Sequence, residues 1–353
     1  MDKEFHTHRY FAASNGGNGF VSYFDDIFSA DEHSKIYIIK GGPGTGKSSF
    51  MKKMQAEFSK DCSSEAFFCS SDTQSLDGLI IKNNNRSIAL LDGTAPHTTD
   101  PTFPVAIEKI INLGDSLNES ALKNNIKLIK DFSKEKSKSY KTAYEYLGIV
   151  AKFQSFAKDE LGNCQKDYLS FFKKLITETP KTGKTNIRLI TSFSKNGFGY
   201  LNTLESLASR KFKVKGIYGS EYIFLRSLGE WLISKSIECT LSPSPMFNNS
   251  YDAILIPSLD TVFFAGQCNT QCECEIIDST QFFDTGEISK SKEKMEFLWR
   301  EREIFLWGAV DEFKNAAEAH TNLERIYSAA MNFENNNAIF EKTVAEIKEC
   351  LLL

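Results

Sequence analysis

No apolar stretch of the 353-residue chain approaches the ~20 residues that a membrane-spanning helix requires. The polar opening Met1-Asp2-Lys3-Glu4-Phe5-His6 also lacks the apolar core of an export signal. Charge of one sign is not in excess: 42 basic residues face 46 acidic ones, for a net charge of −4. That balance argues against a general affinity for nucleic acid or anionic membranes, and no clear nucleic-acid signal emerges, although a local basic patch is compatible with it. Cysteines are few and scattered (62, 69, 164, 239, 268, 272, 274 and 350), so with no export signal they are expected to be reduced thiols of a cytoplasmic protein. The spacing of Cys268, Cys272 and Cys274 lacks a partner pair and matches no usual zinc pattern. No Ser/His/Asp arrangement is discernible, and there is no Asn-Lys-x-Asp guanine motif.

Against these absences one stretch stands out. Ile36-Tyr37-Ile38-Ile39-Lys40 reads as a buried strand, and Gly41-Gly42-Pro43-Gly44-Thr45-Gly46-Lys47-Ser48 comes directly after it. Next is a helical pattern with Phe50, Met51, Met54 and Phe58 on one face. Strand, G-x-x-x-x-G-K-S and helix together form the context of a phosphate-binding loop. Its glycines let successive N–H groups turn toward an anion, and the helix N-terminus adds partial positive charge. In that chemistry Gly41 to Ser49 cradle a nucleoside triphosphate, Lys47 reaches its β- and γ-phosphates, and the Ser48 hydroxyl ligates Mg²⁺.

A phosphate loop also needs an acid at the tip of a neighbouring strand. Ser87-Ile88-Ala89-Leu90-Leu91 is such a strand and ends on Asp92, the expected second holder of Mg²⁺; the alternative is an acid capping the next element. No glutamate comes after Asp92, which speaks against the paired acids of many ATPase motors. His97, five residues on, is either a general base or γ-phosphate sensor, or a histidine packed in the turn beside Pro96. Asp72, ending the strand Ala66-Phe67-Phe68-Cys69, reads as a loop cap, with water positioning as the alternative.

Strands alternating with helices over residues 9–92 predict a mostly parallel α/β sheet. Phe20 to Phe28 looks helical, and from about Val105 to Thr179 the pattern turns helical throughout, predicting a hairpin of long helices. Lysines 130, 134, 136, 138 and 141 read as a solvated helix face. Pro180 and Gly183 punctuate the end of this helical stretch, placing a domain boundary near residue 183.

The second half echoes the first. Arg9-Tyr10-Phe11-Ala12-Ala13-Ser14 is matched by Arg188-Leu189-Ile190-Thr191-Ser192-Phe193. A single ungapped offset aligns Lys40-Gly41 with Lys215-Gly216, Gly44 with Gly219, Asp77 with Asp252 and Leu79-Ile80-Ile81 with Ile254-Leu255-Ile256. The same offset sets Gly46 on Glu221, Lys47 on Tyr222, Ser48 on Ile223 and Asp92 on Gln267, or on Gly266 after a one-residue slip. Glu221 would oppose an anion and the cationic group is missing, so the second copy is expected not to bind Mg-nucleotide.

Several segments occur in a telling order: the glycine loop, Cys69-Ser70-Ser71-Asp72 with Ser75-Leu76-Asp77-Gly78, Asp92-Gly93-Thr94-Ala95-Pro96-His97, and Ile110-Ile111-Asn112-Leu113-Gly114-Asp115. In this the chain resembles an uncharacterised family of duplicated P-loop ATPases from Firmicutes and other spore-forming or anaerobic bacteria. The resemblance implies an ATPase with ATP and Mg²⁺ as ligands and leaves its substrate open. Such relatives usually keep Gly-Lys-Ser/Thr in the second half, from which Tyr222 and Ile223 depart.

The expected fold is therefore α/β, two tandem P-loop NTPase-like domains with mostly parallel sheets, each with a helical hairpin. Residues 1–183 carry the intact loop and a helical insertion over about 105–179, and 184–353 form a degenerate repeat with C-terminal helices. The expected activity is ATP hydrolysis at the first domain, with Lys47, Asp92 and His97 as catalytic residues. A small-molecule or nucleotide kinase and an ATP-gated, protein-binding module with negligible turnover are the alternatives.

Overall fold

The structure, a computed structural model, describes residues 6–162, 168–176, 183–266, 268 and 273–353. Along the first half run β1 (Thr7–Phe11), β2 (Ala13–Gly16), β3 (Gly19–Ser22), α1 (Phe24–Ile27), β4 (Lys35–Lys40), α2 (Lys47–Phe58), β5 (Ser63–Phe68), β6 (Leu76–Asn83), β7 (Arg86–Asp92), β8 (Glu108–Asn112), α3 (Glu119–Asn124), α4 (Ile126–Gly162) and α5 (Leu169–Leu175). The second half runs β9 (Thr185–Ile187), β10 (Thr191–Ser194), β11 (Gly197–Tyr200), α6 (Thr203–Ser206), β12 (Arg210–Lys215), α7 (Ser220–Ser234), β13 (Cys239–Pro243), β14 (Tyr251–Ile256), β15 (Thr261–Ala265), β16 (Glu275–Asp278), α8 (Thr285–Lys290), α9 (Lys292–Ala329) and α10 (Phe333–Leu351).

Each half builds one mixed six-stranded sheet, and the two orders are the same: β1-β5-β6-β7-β4-β8 and β9-β13-β14-β15-β12-β16. In the first sheet β6 runs antiparallel to both neighbours and the other pairings are parallel. The second repeats every direction, with β14 as the reversed strand. The architecture is thus α/β with two mostly parallel sheets. β4 explains why its sequence is uniformly apolar: it lies between β7 and β8, with Tyr37 and Ile39 on one face and Ile36 and Ile38 on the other, all buried. Phe50, Met51, Met54 and Phe58 of α2 bury the face that their spacing predicts.

Three segments depart from the sequence reading. The span 20–28 is not one helix, because the turn after Gly16 folds Gly19–Ser22 back as a strand on β2 and leaves only Phe24–Ile27 helical. The expected insertion starts late as well. Glu108–Asn112 forms β8, whose backbone pairs with β4 from Ile36 to Lys40, and after a 3₁₀ turn at Leu113–Ser116 α-helix begins only at the Asn118 cap, which accepts from Ala121 N. Finally, α4 runs unbroken from Ile126 to Gly162, and its Tyr140, Tyr146 and Phe153 meet aromatic rings of α9 from the second half.

That last difference arises from how the chain gathers into two compact units. The first holds the described residues of Met1–Ala13, Ser22–Lys141 and Glu312–Leu353, and the second those of Ser14–Val21 and Thr142–Asp311. In the first unit α4 pairs with α9 through Tyr140 and Phe313, whose ring centroids are 5.7 Å apart. In the second it does so through Phe305, which meets Tyr146 and Phe153. The terminal helices are exchanged between the repeats: α10 gives Val344, Ile347 and Leu351 to the core beneath the first sheet. Tyr168 and Phe172 at α5 instead pack on Phe224 of the second unit, at 5.5 and 5.3 Å. Each aliphatic side chain buried this way stabilises its unit by roughly 1.5–3 kcal/mol, so neither unit is complete without residues from both repeats. The segments α5 and β9, which flank residue 183 in sequence, both belong to the second unit; Pro180 lies outside the described residues.

Among the described residues no helix is long and apolar enough to cross a membrane, and no disulfide joins the described cysteines. Cys268 is buried, while Cys164 and Cys272 lie outside the described residues.

Candidate functional site

The loop Gly41–Gly46 leaves the tip of β4 and enters α2 at its Gly46 cap. Gly44 (φ +70°) and Gly46 (φ +89°) hold left-handed backbone that a side chain would strain, so both positions call for glycine. Thr45 closes the loop from within, its hydroxyl donating to Gly42 O at 2.8 Å. Lys40, the last residue of β4, donates to Gly93 O, Thr99 O and Asp100 Oδ1, fixing the strand tip to the segment after β7.

Lys47 turns back over the loop. Its Nζ donates to Gly41 O at 3.0 Å and Gly42 O at 2.9 Å, and lies 3.5 Å from Asp92 Oδ2. The Asp92 position is set by sheet order, since β7 lies directly beside β4 and pairs Ile39 with Asp92. Thr94 holds the other carboxylate oxygen, Oδ1, donating from its N at 2.9 Å and from its hydroxyl. The two side chains are shielded, Lys47 being 11% and Asp92 15% exposed. Burial raises the Asp92 pKa, and Lys47 and Thr94 oppose it. Ser48 Oγ accepts from Leu76 N at 2.9 Å, tying the start of α2 to β6, and Ser49 is exposed in the same first turn. Lys47, Ser48 and Asp92 are thus gathered around one loop.

His97 stands differently. Its ring is buried, stacked on Phe24 at 4.2 Å, with Nε2 3.3 Å from Asp77 Oδ2. This is the packed-histidine alternative in geometry, and the Asp77 beneath it is itself buried. Asp72 closes a turn, accepting from Gln74 N at 3.1 Å and the Ser75 hydroxyl at 2.9 Å, as a loop cap does. Arg226 of α7 bonds Glu230 one turn further on.

The sequence reading missed the groups that α4 and α9 bring to the loop. A Cβ added at Gly42 would lie 2.9 Å from the Tyr327 ring, and one at Gly44 would lie 2.6 Å from Glu324 O, so α9 rests directly on the loop. Lys136 does not belong to a fully solvated face: burial lowers its pKa, with Glu324 opposing and Lys47 reinforcing. Burial first, and then the charges of Lys136 and Lys47, press the pKa of His320 down to about 4. Tyr140 of α4 donates to Ser71 Oγ at 2.9 Å. These residues lie far from the loop in sequence and carry no motif, so only the fold could bring them to it.

The second copy of the loop differs more than an ungapped alignment implies. Gly46 caps α2 at φ +89° and Gly219 caps α7 at φ +86°, which makes these two glycines equivalent. Ser220 therefore stands at the place of Lys47 and Glu221 at that of Ser48. The expectation of Tyr222 and Ile223 there fails because Gly216–Gly219 is two residues shorter than Gly41–Gly46. The β14–β15 hairpin, two residues shorter from Tyr251 to Ala265 than the β6–β7 hairpin from Leu76 to Asp92, moves the acid position in the same way. Val214 pairs with Ala265 as Ile39 pairs with Asp92, so buried Ala265 replaces Asp92; Gln267 lies outside the described residues.

This second loop is filled by its own chain. Ser220 Oγ accepts from Ile217 N at 3.1 Å and lies 2.8 Å from Ser279 Oγ, which donates to Lys215 O. Phe247 stacks on Tyr222 with centroids 3.7 Å apart and crowds Gly219 together with Trp299. Burial raises the Glu221 pKa against the opposing charge of Arg302. No cationic side chain takes the Lys47 position here. Comparison of the chain with protein-family models, curated proteins and solved structures found no match.

Proposed function

We propose that the chain binds Mg-ATP at Gly41–Ser49 and hydrolyses it there, as a tandem P-loop-type protein in which only the first repeat keeps a nucleotide site. The observation that carries this reading is the convergence of left-handed Gly44 and Gly46, Lys47 and Asp92 at the tips of two adjacent parallel strands. The loop amides and the start of α2 supply donors and positive potential for phosphate oxygens. Lys47 leaves the Gly41 and Gly42 carbonyls to neutralise charge on the β- and γ-phosphates. Asp92, already beside Lys47 and steadied by Thr94, is set to orient the attacking water or the metal's hydration shell. The shielding of both side chains strengthens their electrostatic effect. His97 acts in this reading as a positioning residue that steadies Asp77.

Mg²⁺ suits the donors present. The Ser48 hydroxyl and the Asp92 carboxylate are hard oxygen ligands, and Mg²⁺ keeps water and phosphate oxygens as the rest of its shell. Among the described residues no three His, Cys, Asp or Glu side chains gather as a protein-only metal cage. When bound, the ion offsets charge on the transferring phosphoryl group.

Isothermal titration with Mg-ATP is expected to give a binding isotherm for the native chain and none for Lys47→Ala. Unchanged affinity in the variant overturns the proposal, and phosphate release by the same preparations tests turnover. The contact of Tyr327 and Glu324 with Gly42 and Gly44 favours a second reading, in which nucleotide moves α9 and turnover is negligible. Tight Mg-ATP binding without steady-state phosphate release, together with changed amide exchange in 320–327, distinguishes it.

A further inference from the structure

The inward face of α4 carries one residue that packing does not ask for. Ile129, Lys136 and Tyr140 recur at spacings of seven and four, so they lie on one side of the helix. Ile129 is buried, and the Tyr140 ring meets Phe313 of α9 at 5.7 Å. Lysines 127, 130, 134, 138 and 141 stand exposed on the other side. Over this stretch Lys136 is therefore the lysine that α4 turns inward, half-buried in line with an aliphatic and an aromatic residue. Among the described residues it makes no hydrogen bond or ion pair.

That face meets the edge of the first sheet that carries the glycine loop. β5 is antiparallel to β6, β6 to β7, and β7 is parallel to β4, so β4, β5 and β7 all end on this edge. Tyr140 reaches it just past β5, donating to Ser71 Oγ at 2.9 Å. α9 reaches it at the loop itself, where Glu324 O would lie 2.6 Å from a Cβ on Gly44 and the Tyr327 ring 2.9 Å from one on Gly42. Lys136 is one turn before Tyr140. Burial lowers its pKa, and the charges that act on it are Glu324 of α9, which opposes, and Lys47 of the loop, which reinforces. Glu324 in turn lies 3.5 Å from His320 Nε2, and His320 senses both Lys136 and Lys47. All of these residues belong to the first unit.

Lys47 has Asp92 at 3.5 Å, whereas Lys136 is held near Lys47 with no carboxylate in contact. A desolvated cation of this kind costs stability until an anion meets it. We propose that Lys136 is a second cation for the bound nucleotide, contacting the γ-phosphate from α4 and setting a preference for a triphosphate over a diphosphate. The proposal rests on the reading of Gly41–Ser49 as the phosphate site. In that reading Lys47 serves the β- and γ-phosphates, so a cation beside it stands at the γ end of the chain. The γ-phosphate is the group that ADP lacks, and a compact ammonium on a flexible stem suits it.

The test titrates the full chain with two probes, ADP and the non-hydrolysable β,γ-imido analogue of ATP, each with Mg²⁺. The native chain is expected to bind the analogue more tightly than ADP. Lys136→Met, which keeps the length and removes the charge, is expected to weaken analogue binding about tenfold or more, as for a lost hydrogen bond to a charged group. Its ADP affinity is expected to match that of the native chain, which also reports an intact fold, and Lys136→Arg is expected to keep the native preference. A native chain that binds both probes equally, or a Lys136→Met chain that keeps the native ratio of the two affinities, overturns the assignment of Lys136 alone. Failure of the native chain to bind either probe overturns the phosphate-site reading, and this proposal with it.

Discussion

The two glycine loops of this molecule share a strand, a left-handed cap and a helix, yet only the first carries a lysine at the helix start and an acid at the neighbouring strand tip. In the first, Lys47 reaches across to Asp92 and the loop amides are lined by glycine and threonine. In the second, Ser220 satisfies Ile217 N, Phe247 and Trp299 crowd Gly219, and Ala265 stands where an acid would. The difference teaches that a two-residue shortening does more than remove one lysine. It shifts the residues that open the helix, so that a hydroxyl bound to its own loop takes the cation's place. The two halves keep one topology while the side chains at their loops differ.

The largest expected effect breaks this comparison at its centre. Lys47→Ala should reduce Mg-ATP affinity by about a hundredfold or more, roughly 2.8 kcal/mol at 1.4 kcal/mol per tenfold, whereas Ser220→Ala should leave it unchanged. Calorimetric titration of both variants checks this, and a loss of affinity in Ser220→Ala would mean that the second loop takes part in binding. The exchanged helices give an effect of similar size on stability. Ile347→Ala in α10 should destabilise the first unit by about 2–4 kcal/mol, as expected of a buried aliphatic residue cut to alanine. Urea unfolding followed by amide exchange should find the loosening in β4, α2 and β7, although residue 347 lies in the second repeat. Protection lost only in the second unit would contradict the exchange.

The smallest effect is a pH dependence. The pKa of His320 is held at about 4, below its usual 6.5, so the folded state prefers the neutral ring. The stability this contributes is present above pH 6.5 and is lost as pH falls toward 4. The side chain is 43% exposed, so solvent screening should keep the effect under about 1 kcal/mol. Denaturant midpoints at pH 7 and pH 5 for the native chain and His320→Gln check the sign. A native midpoint that rises on acidification relative to the variant would refute it.

Much of the first unit was legible in the sequence because its signals are local. The apolar run Ile36–Ile39, the glycines, Lys47 and the strand ending on Asp92 each declare themselves within a few residues, and the structure gathers Lys47, Ser48 and Asp92 around one loop. Spans with weaker local signals were misread. Glu108–Asn112 has helix-compatible spacing, and only pairing with β4 makes it a strand. Gly19–Ser22 likewise becomes a strand because a turn returns it to β2. The role of His97 was undecidable because a histidine beside a proline fits a core or a site equally well, and contact with Phe24 and Asp77 comes from distant segments.

By itself the sequence determined the repeat, the α/β character and the strand, glycine loop and helix of Ile36–Phe58, since these depend on residue type and spacing along the backbone. Only the tertiary structure decided which helix closes which core, what rests on the loop and what stands at Lys47's place in the second copy. Register and chain exchange are set by backbone hydrogen bonds and buried area summed over contacts distant in sequence, and no local pattern encodes such a sum.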